Sequence, residues 1–251
     1  MEGKRGVIIV IEGGDASGKA TQTKLLVDRL NSEGISAKHM SFPRYNTPTG
    51  RIIGQCYLGK NGLGEGDVGW FGDPTKIDPL IASLYYAADR RAAVPEINEI
   101  LDSGTHLILD RYYQANMAHQ GGKIDSQQER INYFEKVGKI ELDALEIPRE
   151  DRTIFLHMPL AVALELMKGR NEDKDGHERS REHLVRAEEV YKRLTTLNYT
   201  WEQINCAPDG TINSLKTPEK ISEAVYTIAK RTIDWKMHGG EYHFKEHPWQ
   251  A

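Results

Sequence analysis

Cysteine is scarce in this chain: Cys56 and Cys206 are the only two in 251 residues. That excludes a disulfide framework and a cysteine-rich zinc site, and leaves two reduced, buried thiols in a cytoplasmic protein as the expectation. No run of twenty apolar residues occurs, so no membrane-spanning helix is expected. The start, Met1-Glu-Gly-Lys-Arg, leads into only six apolar or small residues before Glu12, too few for a signal peptide. Neither sign of charge dominates. The net charge of −4, from 33 Lys+Arg and 37 Asp+Glu, argues against a broad nucleic-acid footprint and leaves room for a local basic site for small anions. Internal repeats, low-complexity linkers, a Ser-His-Asp set and a catalytic cysteine are all missing. One domain over residues 1–231, followed by a His- and aromatic-rich tail over 232–251, is the simplest division. In that tail His243 and His247 have i, i+4 spacing, which can bind a metal; without a third ligand, a docked or frayed terminus is the plainer reading.

What the chain does contain is alternation. Gly6 to Ile11 is a continuous β-branched run, as in a strand buried on both faces. Further strands are expected over Ser36–Phe42, His106–Leu109, Thr153–His157 and Glu202–Cys206. Helical patterns lie between and after them, over Lys19–Leu30, Pro79–Leu101, Ser126–Leu145, Leu160–Lys168, Glu182–Leu197 and Pro218–Ile233. Strands alternating with helices predict an α/β fold with a five-stranded, mainly parallel sheet flanked by helices. The segment Gly59–Asp78, with six glycines and four acids around Trp70 and Phe71, reads as a mobile loop.

Residues 13–19 read GGDASGK between the first strand and the first helix. This is Gly-x-x-x-x-Gly-Lys in the context the P-loop motif requires. Glycines let the backbone wrap an anion, consecutive N–H groups point inward, and the helix N-terminus adds a favourable dipole. Gly13, Gly14, Asp15, Ala16, Ser17, Gly18, Lys19, Ala20 and Thr21 are therefore the candidate ATP-binding residues, with Lys19 reaching the β- and γ-phosphates. The residue after the lysine should carry a hydroxyl for Mg²⁺, and here it is Ala20. Either Thr21 substitutes, or water and carboxylates hold the ion. Asp110, at the end of the third strand, is the natural second anchor.

Longer blocks narrow the reading. EGGDASGKATQ (residues 12–22), FPRY (42–45), ADR (88–90), DRYYQANMAHQGG (110–122) and KDGHE (174–178) follow one another in order. Singly none is specific. Together they resemble the thymidylate kinase family of P-loop nucleoside-monophosphate kinases, from residue 6 to about 197. The resemblance implies a P-loop fold with a mobile lid over about residues 169–181, and a homodimer. It also implies transfer of the γ-phosphoryl group of ATP to dTMP, with Mg²⁺ as cofactor, in dTTP synthesis.

By that resemblance Tyr86 stacks on the base and Arg90 donates to thymine O4. The two are i, i+4 and share a helix face. An arginine offers only donors, which suits the O4 acceptor and is mismatched to the amino group of cytosine. Asn116 carries a donor and an acceptor and would pair with the base edge. Asp15, Phe42, Arg44, Tyr45 and Arg111 would surround the acceptor phosphate and sugar, although Phe42 could equally be core and Arg44 a solvated loop charge. Ala115, His119, Gln120 and His177 complete the expected dTMP contacts. Arg111 would bridge the two phosphates. Because Ala16 stands where some members place an arginine, the chain resembles the group that draws its catalytic cation from the lid, either Arg170 or Lys174. Asp15, Asp110 and Glu178 are the expected Mg²⁺ ligands, partly through water. Ala115 and His119 stand in place of the signature serine and tyrosine. A kinase for another or broader set of monophosphates, such as dUMP, and a catalytically silent nucleotide-binding protein are the rival readings.

Overall fold

A computed structural model describes residues 4–60, 69–168, 180–197 and 200–241. Its centre is a five-stranded sheet in the order β2-β3-β1-β4-β5. The strands are β1 (Ile8–Gly13), β2 (Ala37–Ser41), β3 (His106–Asp110), β4 (Arg152–His157) and β5 (Trp201–Asn205), and all four pairings are parallel. The expected strands were thus placed within about two residues.

The unbroken apolar run of β1 follows from this position. Every β1 residue is buried. Ile8 and Val10 face one layer with Leu107, Leu109 and Phe155, while Ile9 and Ile11 face the other with Ile108, Ile154 and Leu156. Alternate side chains point to opposite faces, so a central strand covered on both sides is apolar along its body, Ile8 to Ile11, with Glu12 the one charged side chain at its carboxyl end.

Helices α1 (Lys19–Ser32) and α8 (Pro218–Met237) pack together on one face, and α3 (Pro79–Asp102), α4 (Tyr113–Gly121), α5 (Gln127–Gly138) and α7 (Arg181–Leu197) build the other. α6 (Leu160–Lys168) begins after β4. The start of α3 is chemically fixed: Asp78 accepts from the N–H groups of Leu80 and Ile81, and Pro79 occupies the first turn. Thr217 and Pro218 do the same for α8.

Several expectations need correction. α8 continues through Thr232 and Ile233, both buried, to Met237, so residues 232–237 belong to the folded body rather than to a tail. His243 and His247 lie outside the described residues. The helix expected over Ser126–Leu145 ends at Gly138 and gives way to a π-helical turn, Lys139–Ala144. Two helices were not anticipated. α4 follows the third strand, and α2 (Pro48–Arg51) is prolonged by a second π-helical turn, Ile52–Tyr57. The described end of the Gly59–Asp78 segment is pinned rather than mobile: Phe71 stacks on Tyr85 with ring centroids 4.8 Å apart, and Lys123 donates to the carbonyls of Pro74 and Ile77. Of the expected lid, Arg170, Lys174, His177 and Glu178 lie outside the described residues; Arg181 begins α7.

Candidate active site

Beyond the carboxyl ends of the strands lies a cleft of about 390 Å³. That is where open parallel sheets present their loops. One wall is the turn from β1 into α1. Gly18 has φ +85°, and a side chain at Gly13 would meet Ser17 Oγ at 2.6 Å and the Leu156 carbonyl at 2.8 Å, so both positions need glycine. Ala16 also sits at positive φ (57°), as does Arg111 (65°) immediately after β3. Left-handed non-glycine residues carry strain that the surroundings must hold in place. Here the two facing loops of one cleft hold one each.

Asp15, Ala16, Ser17, Gly18, Lys19, Ala20 and Thr21 all line this cleft. Gly14 lines an adjoining narrower crevice, and its carbonyl accepts from Lys19 Nζ at 2.6 Å. Gly13 lies beneath as the last residue of β1.

The charges are arranged tightly. Arg111 Nη2 donates to Asp15 Oδ1 at 2.6 Å. Burial opposes ionisation of Asp15, yet Arg111 and Lys19 hold its carboxyl well below the usual carboxylate range. Burial, aided by Arg111, pushes the Lys19 ammonium down to about 8. Arg111 itself stays charged: burial works against it, but Asp15 raises it well above its ordinary value. Burial also pushes Glu12 up; its carboxyl accepts from the Tyr112 N–H at 2.8 Å and the Tyr191 hydroxyl at 2.9 Å. Asp110 Oδ1 is buried with no hydrogen-bond partner among the described residues, and Asp110 faces the cleft.

The opposite wall gathers Tyr86, Arg90, Ala115, Asn116, His119 and Gln120. Arg90 is 2% exposed and paired to Glu141, with Nε donating at 2.8 Å and Nη2 donating to the other carboxylate oxygen. Asn116 Nδ2 donates to the Ser83 carbonyl at 3.2 Å, while its Oδ1 is buried and unpartnered among the described residues. Tyr86 meets Tyr57 edge-on, with ring centroids 5.7 Å apart. Gln120 donates to the Tyr57 hydroxyl at 3.1 Å. His119 Nε2 lies 3.1 Å from Arg111 Nη1, and its Nδ1 lies 3.3 Å from His183 Nε2. Burial, with Arg111 and His183 adjacent, keeps His119 well below the usual histidine range. Nε2 therefore accepts from the arginine, and Nδ1 carries the proton toward His183.

At the mouth, Phe42 is both core and lining: it packs on Tyr112 with centroids 5.7 Å apart and still borders the cleft. Tyr45 is 41% exposed there, with Lys60 Nζ 4.8 Å from its ring centroid. Arg44 does not join them. Its backbone N–H donates to Asp89 Oδ2 at 2.8 Å, Nη2 donates to the Asp89 carbonyl at 3.1 Å, and Nη1 lies 3.5 Å from Glu96. A fully buried carboxylate must collect its donors locally, and Asp89 takes Arg44 together with the hydroxyls of Thr47 and Thr49.

Sequence reasoning missed Asp89, Glu141, His183 and Lys60 as parts of this site. Asp89 had a signal, since it is the middle residue of the ADR block. Glu141 and His183 had none, being joined to the cleft only by contacts 51 and 64 residues apart.

A strand-to-helix anion cradle, a buried arginine–aspartate pair beside it and an aromatic, amide-bearing wall opposite make this a P-loop phosphotransferase site. The thymidylate kinase family model matches residues 11–213, and the chain belongs to that family. It is 28% identical to human thymidylate kinase over 238 residues, covering 93% of this chain and 94% of that one. The thymidylate kinase of Danio rerio is 28% identical over 231 residues, 92% and 96% of the two chains. That of Desulfotalea psychrophila is 33% identical over 154 residues, 60% of this chain and 68% of its own. The solved thymidylate kinase of Candida albicans superposes with a TM-score of 0.66 at 24% identity, covering 93% and 94% of the two chains; this establishes the P-loop NTPase fold.

Proposed function

We propose that the protein transfers the γ-phosphoryl group of ATP to dTMP, giving ADP and dTDP. The observation that carries the acceptor assignment is the pairing of a buried donor and a buried acceptor on one wall. Arg90 presents N–H groups, and Asn116 presents an Oδ1 with no partner among the described residues. Those two match the O4 acceptor and N3–H donor of thymine, and leave Tyr86 to cover the ring.

Phosphoryl transfer asks for positioning and charge neutralisation rather than a covalent intermediate. The cradle N–H groups and Lys19 hold the donor phosphates. Arg111, fixed by Asp15 and His119, spans donor and acceptor phosphates as a planar cation. Arg170 or Lys174 would add the last cation on closure, and His177 would meet the acceptor.

The carboxylates suit Mg²⁺. Asp110 has a buried oxygen with no partner among the described residues, and Asp15 is held ionised. Among the described residues no cluster of three or more His, Cys, Asp or Glu forms a complete cage, so Asp15, Asp110 and Glu178 would hold the ion together with phosphates and water. When bound it neutralises charge on the transferring phosphates. Thr21 is exposed at the cleft and supplies the nearest hydroxyl in sequence to the Ala20 position.

The reading extends to a homodimer in the cytoplasm. Ile81 and Leu84 on α3 are 51% and 48% exposed, Trp70 is 68% exposed, and the Phe71–Tyr85 stack adjoins them, a surface suited to a second copy. A sedimentation mass of one chain would refute the dimer. No helix among the described residues is long and apolar enough to cross a membrane.

The decisive experiment is ADP release with single monophosphates as acceptors. Turnover with dTMP well above dUMP, dCMP and purine monophosphates supports the assignment. ATP binding without turnover on any acceptor, or equal turnover across the panel, refutes it.

A further inference from the structure

We propose that Glu141, on the π-helical turn after α5, is a specificity-determining positioning residue: it fixes the hydrogen-bond polarity of the wall that reads the base. This rests on the reading above, that Arg90 and Asn116 face the acceptor's pyrimidine.

The Glu141 side chain is 1% exposed. It accepts from Arg90 Nε at 2.8 Å and from Arg90 Nη2, and its Oε1 lies 3.5 Å from Asn116 Nδ2. One carboxylate therefore touches both readers.

The consequence for Arg90 is directional. The Nε/Nη2 fork is the edge a guanidinium uses to grip phosphate or carboxylate, and here it is occupied. The Nη1 end, which lies 3.5 Å from the Tyr112 carbonyl, remains as the source of a donor toward the cleft. The pair is also neutral overall. A phosphate entering the cleft is drawn to Lys19 and Arg111, and an uncharged base is left to this wall.

The consequence for Asn116 is orientational. With Nδ2 turned to the Ser83 carbonyl and Glu141, Oδ1 is the atom left without a partner among the described residues. Flipping the amide would set Oδ1 against two other oxygens and leave Nδ2 at the cleft, so the carboxylate enforces the acceptor outward. The wall then offers a donor and an acceptor side by side. Thymine and uracil complement that order with O4 and N3–H. Cytosine presents the reverse at both atoms, an amino group and a bare N3, and would leave two buried groups unsatisfied.

The test is kcat/KM for dTMP and dCMP in the wild type, Glu141→Gln, Glu141→Asp and Arg90→Ala, with thermal unfolding of each variant. A glutamine amide cannot accept from both Arg90 nitrogens and Asn116 at once. Glu141→Gln is expected to lower the dTMP:dCMP ratio by about tenfold or more, with the KM for ATP within about twofold of wild type. Glu141→Asp, which keeps the charge, is expected to restore part of the ratio. Wild-type enzyme is expected to reject N3-methyl-dTMP, which has no donor for Asn116; this holds the proposal to account even if Glu141→Gln does not fold. Equal loss for both acceptors, or turnover of N3-methyl-dTMP comparable to dTMP, overturns the proposal. An unchanged ratio in Arg90→Ala sinks the base-reading assignment itself. A reduced ratio in Arg90→Ala with wild-type ratios in both Glu141 variants sinks only the role of Glu141.

Discussion

The two walls of the cleft are built from different materials. The cradle side comes from consecutive residues, Gly13 to Thr21, and its binding groups are backbone N–H groups with one lysine. The base side takes Tyr86 and Arg90 from α3, Asn116 from α4 and Glu141 from the turn after α5. Phosphate is the same in every nucleotide, so a fixed local backbone suffices for it. A base edge differs from its rivals by single donors and acceptors. Reading it demands side chains whose orientation is held by further side chains, and those have to come from elsewhere in the fold.

This contrast can be broken by experiment. Lys19→Met is expected to lower kcat/KM by about a thousandfold for every acceptor alike, since it removes charge stabilisation from the transferring phosphate. An acceptor-dependent loss would mean that the two walls are not separate. Arg90→Ala is expected to cut dTMP efficiency by about a hundredfold while ATP affinity changes little; a matching loss in ATP binding would erase the distinction from the other side. The cradle should also carry a pH signature. The free Lys19 ammonium is lowered to about 8, chiefly by burial. ATP phosphates require its charged form, so affinity should be flat below that pH and fall by about tenfold between pH 7 and pH 9. Titration calorimetry across that range giving a flat profile would reject it. The smallest effect concerns Ala20. Ala20→Ser restores the hydroxyl at the metal side of the cradle and is expected to lower the Mg²⁺ concentration for half-maximal rate by roughly fivefold. No change would mean that carboxylates and water hold the ion without it.

Legibility in the sequence followed the same divide. The central strand was readable because a parallel strand buried on both faces is an apolar run, as in Gly6–Ile11, and the core of β3 and β4 shares that run. The outer strands β2 (AKHMS) and β5 (WEQIN) carry exposed polar residues and were placed by their position between helical patterns. The cradle was readable because its function needs a fixed spacing of glycines and lysine. α4 was not, because its chemistry-bearing residues Asn116, His119 and Gln120 interrupt any apolar stripe. The turn at Lys139–Ala144 was hidden inside a helical pattern, and it carries the Glu141 that pairs with Arg90. Arg44 was placed at the acceptor by its block, but the buried Asp89 captured it.

By itself, the amino-acid order determined the fold class, the anion cradle and the family, since each rests on patterns short enough to be complete within a strand, a turn or a motif. Only tertiary structure decided the partners of the buried charged and polar groups: Glu141 for Arg90, Asp89 for Arg44, and His183 for the neutral His119. A charged or hydrogen-bonding group removed from water must find its counterpart wherever packing supplies one, and that choice is made across the fold rather than along the chain.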